Sequence, residues 1–408
     1  MNYIKMKKKL FFSIIVAFLF GCTSNRQPPD SLPFIDIRKN YPEKEIVLTD
    51  IADINYLHLN TQNDSFLYKG GIQYETENTY LVVDMYSNSI LFFSKDGNPL
   101  SRFNRYGQGP EEYSILDYMN VIYDEATDDV FVPVDFRNYI QVYSSTGKYK
   151  RQLILPHGVT NQLASIMVSF NNQSLLLYDI NKLRNKTYRK IEGDNSAFSS
   201  QLNDSSFVLI SKIDGKVLEY VEIPSPTIDL CIISEVNGSK FPVWYNYQRI
   251  VKCSDGYLLC NPENDKIYLY KQDKSLTPIL CKIPVLSDAD MHVLDNCVEA
   301  GKYQFMKISH RRTRPREESN DEYYMRDKET GEVFRQKIVL SDYRGKEFFI
   351  YAYGGFTRYM ENGYRYYLSL SELKQAYKEN RLSGELKELV ATLNEDKDND
   401  IFMNVKFR

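Results

Sequence analysis

Only four of the 408 residues are histidine (His58, His157, His292 and His310), and none stands in a His-x-Glu-x-x-His pattern or beside a close pair of cysteines. The spacing that builds a catalytic zinc site is therefore missing, and neither a metal nor any other cofactor is predicted. The Gly-x-Ser-x-Gly elbow of the α/β-hydrolases is missing too. Positive charge is in no excess: 51 Lys and Arg against 54 Asp and Glu leave a net charge of −3. That balance argues against a nucleic-acid partner, which calls for a strong basic surplus. The longest apolar run, Leu10 to Phe20, falls short of the roughly 20 residues that a spanning helix needs. Tryptophan occurs once, whereas there are 33 Tyr and 22 Phe, and helical periodicity is scarce before about residue 370. Aromatic enrichment of this kind suits pleated, half-buried strands, so the expected fold class is all-β.

The first feature that is present is an export signal. Residues 1–21 place a lysine block before a short apolar run, the layout of a cleaved secretory signal. The run ends in Leu19-Phe20-Gly21-Cys22, which resembles the lipobox of bacterial lipoproteins, with Phe20 bulkier than usual at its position. This resemblance implies cleavage before Cys22, lipid on its sulfur, and the membrane as a partner. Residues 22–33 are polar and proline-bearing, as a tether would be. They lack an acidic cluster behind the cysteine. The expected location is therefore the cell envelope, on the outer membrane facing the periplasm in preference to surface display.

Residues 34–408 read as one repeat domain. Tyr80 to Leu100, Val130 to Lys150 and Tyr257 to Ser275 can be superposed as strand, Asp or Asn, polar turn, strand and turn. A partial copy runs from Phe207 to Pro224 around Asp214-Gly215, a strong hairpin turn. Apolar residues at consecutive sites, as at Val82 and Val83, Leu91 to Phe93, and Leu258 and Leu259, imply strands covered on both faces. Radially stacked blades have that property. Ile90 and Ile140 are 50 residues apart and Ile140 and Ile267 are 127 apart, which leaves room for one blade with an insertion. Six blades are expected, with seven as the second choice.

Between Leu370 and Leu393 apolar residues recur at three- and four-residue steps, broken at Ser383-Gly384, which predicts two short helices. In the final run Ile401, Met403, Val405 and Phe407 share one face of a strand. Open sheet edges are a liability in a ring. This strand is therefore expected to close the propeller by completing a blade with the segment Glu45 to Leu59.

Four stretches carry a more specific resemblance: Glu45 to Leu59, Ser94-Lys95-Asp96-Gly97, Gly107-Gln108-Gly109-Pro110-Glu111-Glu112-Tyr113, and Ser383-Gly384-Glu385-Leu386-Lys387-Glu388-Leu389. Together they resemble the six-bladed β-propeller lipoproteins of Gram-negative gut anaerobes, related to the NHL-repeat propellers. In that family the loop motif usually reads Gly-x-Gly-Pro-Gly-Glu-Tyr; here Glu111 stands at the third glycine. The resemblance implies fold and location and leaves the activity open.

Candidate binding residues are Gly107, Gly109, Glu112 and Tyr113 of that loop, with Asp84, Asp135 and Asn261 at equivalent places in the repeats. The last three could supply oxygen ligands to calcium, although turn initiation by their side chains is the commoner role. Pro110 and the acids after Gly109 would repel a phosphate. The basic stretch His310 to Arg316 is followed at once by acids and reads as a solvated loop. The tyrosines between Tyr351 and Tyr367 read as strand packing, with sugar stacking as the rarer use. Besides Cys22 there are five cysteines, Cys231, Cys253, Cys260, Cys281 and Cys297, taken as packed thiols, with Cys253 and Cys260 able to face each other across a hairpin. The expected function is non-enzymatic: an envelope-anchored binding or scaffold propeller for a glycan, peptide or protein ligand. The alternative is an envelope hydrolase or lyase acting on glycans or lactones at the propeller mouth.

Overall fold

A computed structural model describes residues 32–62, 64–114, 116, 121–134, 139–155, 166–178, 207–223, 231–236, 239–244, 249–261, 265–285, 292–310, 320–352, 357–360 and 363–408; for 166, 231–236, 239–244, 261 and 357–360 it describes the backbone alone. Leu32–Arg408 forms one compact unit. It is a six-bladed β-propeller. The export signal, Cys22 and the basic stretch after His310 lie outside the described residues.

From the inner strand outward, blade 1 comprises Gly70–Glu75, Thr79–Asp84, Ser89–Ser94 and Pro99–Phe103. Blade 2 comprises Ile122–Asp124, Asp129–Pro133, Tyr139–Tyr143 and Tyr149–Ile154. Blade 3 comprises Ile166–Ser169, Ser174–Tyr178, Phe207–Ser211 and Val217–Val221. The expected insertion falls in blade 3, between its second and third strands. The Phe207 to Pro224 repeat therefore joins the third and fourth strands of its blade, one strand later than the other three copies. What misaligned it is that the same Gly-bearing turn recurs between strands three and four. An additional hairpin, Cys231–Val236 with Ser239–Trp244, follows.

Blade 4 comprises Ile250–Cys253, Gly256–Asn261, Lys266–Tyr270 and Leu276–Ile283. Blade 5 comprises His292–Ala300, Tyr303–His310, Glu322–Asp327 and Val333–Leu340, with Tyr343–Phe348 added outside. Blade 6 takes Thr357–Met360, Gly363–Leu368 and Ile401–Phe407 from the end of the chain and its outer strand, Ala52–His58, from the beginning. Ile401 pairs with His58 and Phe407 with Ala52, so the ring closes as the terminal pattern predicts. Ahead of that strand the chain also adds Phe34–Asp36 in parallel to blade 4 and Glu43–Val47 in parallel to blade 5. The N-terminal segment is thus a strap stitched to three successive blades.

Consecutive apolar residues divide between two interfaces. Leu81, Val83, Ile90 and Phe92 pack with Val121, Val130 and Val132 of the second blade, whereas Val82, Leu91 and Phe93 pack with Leu57 and Phe402 of the sixth. Each such fully buried side chain contributes about 1.5 to 3 kcal/mol. The turns between third and fourth strands lock neighbouring blades. Gly147 has φ +81°, and a Cβ there would lie 2.5 Å from Cβ of Phe103 in the outer strand of blade 1. Gly97, with φ +78°, meets the His58 carbonyl of blade 6 in the same way.

Besides one helical turn at Leu48–Ile51, the described residues form the helices Leu370–Lys378 and Gly384–Thr392, which bury Leu373, Leu386 and Val390. Cys253, Cys260 and Cys297 are free, buried thiols in one apolar cluster between blades 4 and 5. Cys253 pairs with Gly256 and Cys260 with Ile267, so the two cysteines do not face each other. Burial pushes Cys253 up to about 11 and Cys260 up to about 12, which keeps both as unreactive thiols.

Candidate functional site on the connector face

Strands alternate in direction, so each turn between second and third strands leaves on the same face of the ring as the connector to the next blade. Among the described residues, this connector face carries Asp84, Asn261 and the loop from Gly107 to Tyr113. Asp84 and its turn belong to blade 1, and Gly107 to Tyr113 lie in the connector from blade 1 to blade 2. Asp135 lies outside the described residues. Asn261 ends its strand paired with Lys266.

At the blade 1 corner these residues form a frame. Asp84 Oδ1 accepts the backbone N–H groups of Lys69 and Tyr86, and Oδ2 accepts the Ser87 hydroxyl at 2.5 Å. Those are the bonds of a turn initiator. Tyr113 is fully buried, accepts the Arg105 N–H at 2.9 Å and donates to the Asn88 carbonyl at 2.8 Å, which ties connector to turn. Burial pushes its phenol up to about 12. Glu112 accepts the Gly109 N–H at 2.7 Å, so the chain's own acid fills the anion-binding position of the loop. Gly107 leaves room for that carboxylate, since a Cβ there would lie 2.0 Å from Glu112 Oε2. Gln141 and Tyr143 of blade 2 donate to the carbonyls of Pro110 and Glu111 at 2.8 and 2.9 Å. Glu111 keeps a negative φ, and the loop works without the family's third glycine. What this frame holds out are residues that the sequence reading missed: Met85, Tyr86 and Tyr106, which are 42%, 81% and 52% exposed.

A second corner lies on blade 5, again unnominated in the sequence. Asp295 is the extra residue of a bulge in the inner strand, between Leu294 and Asn296. Its Oδ2 accepts the Ser309 hydroxyl at 3.2 Å and lies 3.1 Å from Lys307 Nζ, which is 3.0 Å from Asp321 Oδ2. Burial raises the Asp295 carboxyl above its usual range in spite of Lys307. Burial works against the charged form of Lys307, but Asp295 and Asp321 outweigh it and hold the ammonium well above its ordinary value.

Tyr323 stacks on Phe349 at 4.3 Å and meets Tyr351 at 5.2 Å, while Lys307 Nζ lies 5.3 Å from the Tyr351 ring centre. The Asn296 side chain places the connector by pairing both its amide groups with the Ala352 backbone at 3.0 Å. His292 and His310, cross-strand partners, sit edge to face at 5.2 Å. No pattern in the sequence marks this corner, because Asp295 and Lys307 stand in strands that also carry His292, Asn296, Glu299, Gln304 and Ser309. Among the described residues, no group of three or more His, Cys, Asp or Glu side chains is placed to hold a metal ion.

Similarity to known structures agrees with the fold. A Bacteroides fragilis protein described as exported shares 17% identity at a TM-score of 0.59, over 93% of this chain and 100% of its own. A DUF4221 family member from Bacteroides vulgatus (9% identity, TM-score 0.44, over 88% of this chain and 97% of its own) and a streptogramin B lyase (9%, 0.38, 88% and 99%) are more distant. The relation to NHL-repeat propellers is a distant one. No protein of curated function matches. Residues 32–406 match the model of a domain of unknown function, DUF4934, and the chain belongs to that family.

Proposed function

We propose that the protein is a lipoprotein of the cell envelope, anchored through lipid on Cys22 to the outer membrane on its periplasmic side, whose propeller binds a glycan, peptide or protein ligand on the connector face. The anchor is supported by the lysine block, the short apolar run and the Gly-Cys junction of the sequence. Among the described residues no helix is long and apolar enough to cross a membrane. The observation that carries the binding reading is the exposure of Tyr86 and Tyr106 on a cross-linked frame. Rigid aromatic side chains lose little conformational entropy on contact and offer large amphipathic surfaces, which is why they anchor binding faces.

Glycan and peptide arrays probed with the acylated protein test this. Ligands that score are expected to lose about tenfold in affinity with Tyr86→Ala and Tyr106→Ala. Identical profiles for parent and variants would refute the assignment to this face.

One observation favours the hydrolase or lyase reading instead: Asp295 is an acid of raised pKa beside a charged lysine, a pairing that suits proton transfer. Release of new reducing ends from a bound glycan, abolished by Asp295→Asn, would decide for it.

A further inference from the structure

Leu370–Lys378 and Gly384–Thr392 stand between the second and third strands of blade 6, so both helices sit on the connector face. Between the first of them and Tyr343–Phe348 of blade 5 lies an open cleft of about 590 Å³, within the range of roughly 300 to 1,000 Å³ usual for small-ligand sites. Its walls are fixed. The Arg344 N–H donates to the Arg381 carbonyl at 2.9 Å, Tyr343 bridges to Leu382, and Lys346 Nζ lies 3.2 Å from Glu372 Oε2. Four cations line the cleft, Lys346, Lys374, Lys378 and Arg381, against two acids, Glu372 and Glu395. Glu372 is taken up by Lys346, and Arg381 is paired with Glu379 at 2.7 Å. The two lysines left stand one turn apart on the helix, an arrangement in which like charges repel. Lys378 is exposed and its ammonium has no partner among the described residues. Lys374 gives one proton to the Val390 carbonyl at 2.7 Å and keeps two to donate. An anion entering the cleft relieves the repulsion between them.

The rest of the lining bears on what carries the anion. The Ser371 hydroxyl and the Glu395 carboxylate are exposed and without a partner among the described residues, and the Gln375 amide oxygen is open while its nitrogen donates to Glu379. Groups of this kind donate to and accept from hydroxyls. No aliphatic residue lines the cleft, and its one aromatic, Tyr343, is 3% exposed beneath Arg381, which lies 5.5 Å from the ring centre. An acyl chain or a nucleobase would find no apolar surface there. We infer that this cleft binds an acidic oligosaccharide, whose carboxylate or sulfate lies between Lys374 and Lys378 and whose hydroxyls meet Ser371, Gln375 and Glu395. The site is distinct from the blade 1 corner, since neither Tyr86 nor Tyr106 lines it.

The test titrates the full acylated protein in detergent with trigalacturonate and a chondroitin sulfate tetrasaccharide as acidic probes, maltotriose as a neutral one, triglutamate as an acidic peptide and inorganic phosphate as a bare anion. At least one acidic saccharide is expected to bind, and less tightly as salt rises, because exposed charges are screened. Lys378→Glu lies on exposed helix surface, should leave melting unchanged, and is expected to weaken that binding tenfold or more. Lys374→Gln should weaken it as well. Lys216→Glu, the same charge reversal at an exposed turn of blade 3, and Tyr86→Ala should stay within twofold of the parent. Failure of both acidic saccharides to bind, whatever phosphate or triglutamate does, overturns the inference, and so does equal binding of maltotriose or acidic-saccharide binding that survives Lys378→Glu. If that binding is lost with Tyr86→Ala and kept with Lys378→Glu, the cleft falls while the reading of the blade 1 corner stands.

Discussion

Arg365 of the closing blade donates to Glu75 of the first blade at 2.8 Å, across the seam where the ring ends meet. Arg365 is 3% exposed, and it also donates to Asn404 at 2.7 Å and lies 5.0 Å from the centre of the Tyr80 ring. Lys95 is the second cationic partner of Glu75.

Breaking this pair from the arginine side should be costly. Arg365→Ala leaves a half-buried carboxylate with one cation and opens a cavity against Tyr80, and a loss of about 3 kcal/mol or more is expected by analogy with other buried pairs. Burial works to raise the Glu75 carboxyl, but Arg365 and Lys95 outweigh it and hold it below its ordinary value of 4.5. A depressed folded value means stability that is present above the unfolded pKa and lost as pH falls through the folded one. The parent should therefore lose stability as pH falls below about 4.5, and Arg365→Ala should lose less over the same range. Denaturant midpoints at pH 7 and pH 3.5 check both. An unchanged midpoint at pH 7 would refute the role of the seam.

Ring closure gives a second prediction. Ile401–Phe407 is an interior strand of blade 6, paired on both sides with Gly363–Leu368 and Ala52–His58. Its removal would strip two neighbours of their ladders and leave empty the core space filled by Phe402, Met403 and Val405, all buried. Deleting residues 401–408 should cause aggregation or collapse of the thermal transition, while deleting residues 23–32 of the tether should leave melting unchanged. A soluble C-terminal deletion that melts like the parent would place closure elsewhere.

This closure was legible because its carriers are local and periodic. Ile401, Met403, Val405 and Phe407 alternate cleanly, and the paired Val82 and Val83 announce burial on two faces. The strap was not legible in the same way. Phe34–Asp36 has three residues and Glu43–Val47 is charged at three of its five positions, so neither carries a pattern, and both are strands only because an outer edge lies beside them. The candidate sites divide likewise. The motif from Gly107 to Tyr113 stood out through its glycines, and its residues turn out to hold the loop. Tyr86 is one exposed aromatic among 33 tyrosines. Asp295, Lys307, Asp321 and Tyr351 meet only after three strands and a connector have folded, and no spacing in the chain records that.

Lipidation is the third prediction. A thioether to lipid can form only on the Cys22 sulfur. Cells expressing Cys22→Ala and fed a clickable fatty acid should give an unlabelled protein that leaves the membrane fraction on washing. Equal labelling of parent and variant would sink the lipoprotein assignment.

The last prediction concerns why position 107 is glycine. Its φ is not among the positive ones, so alanine meets no backbone objection there. The obstacle is space: the new methyl would lie 2.0 Å from Glu112 Oε2 and 2.5 Å from its carboxyl carbon. Glu112 cannot simply turn away, because that oxygen accepts the Gly109 N–H at 2.7 Å. Gly107→Ala should thus cost about 1 to 3 kcal/mol through overpacking. Glu112→Ala should cost about 1.5 to 3 kcal/mol through the lost charged hydrogen bond. In the double variant the methyl enters space that the carboxylate has vacated, so its cost should approach that of Glu112→Ala alone. A double-mutant cycle measures this directly, since only residues that share space or a bond couple strongly. Additive losses would show that Gly107 is required by something other than Glu112.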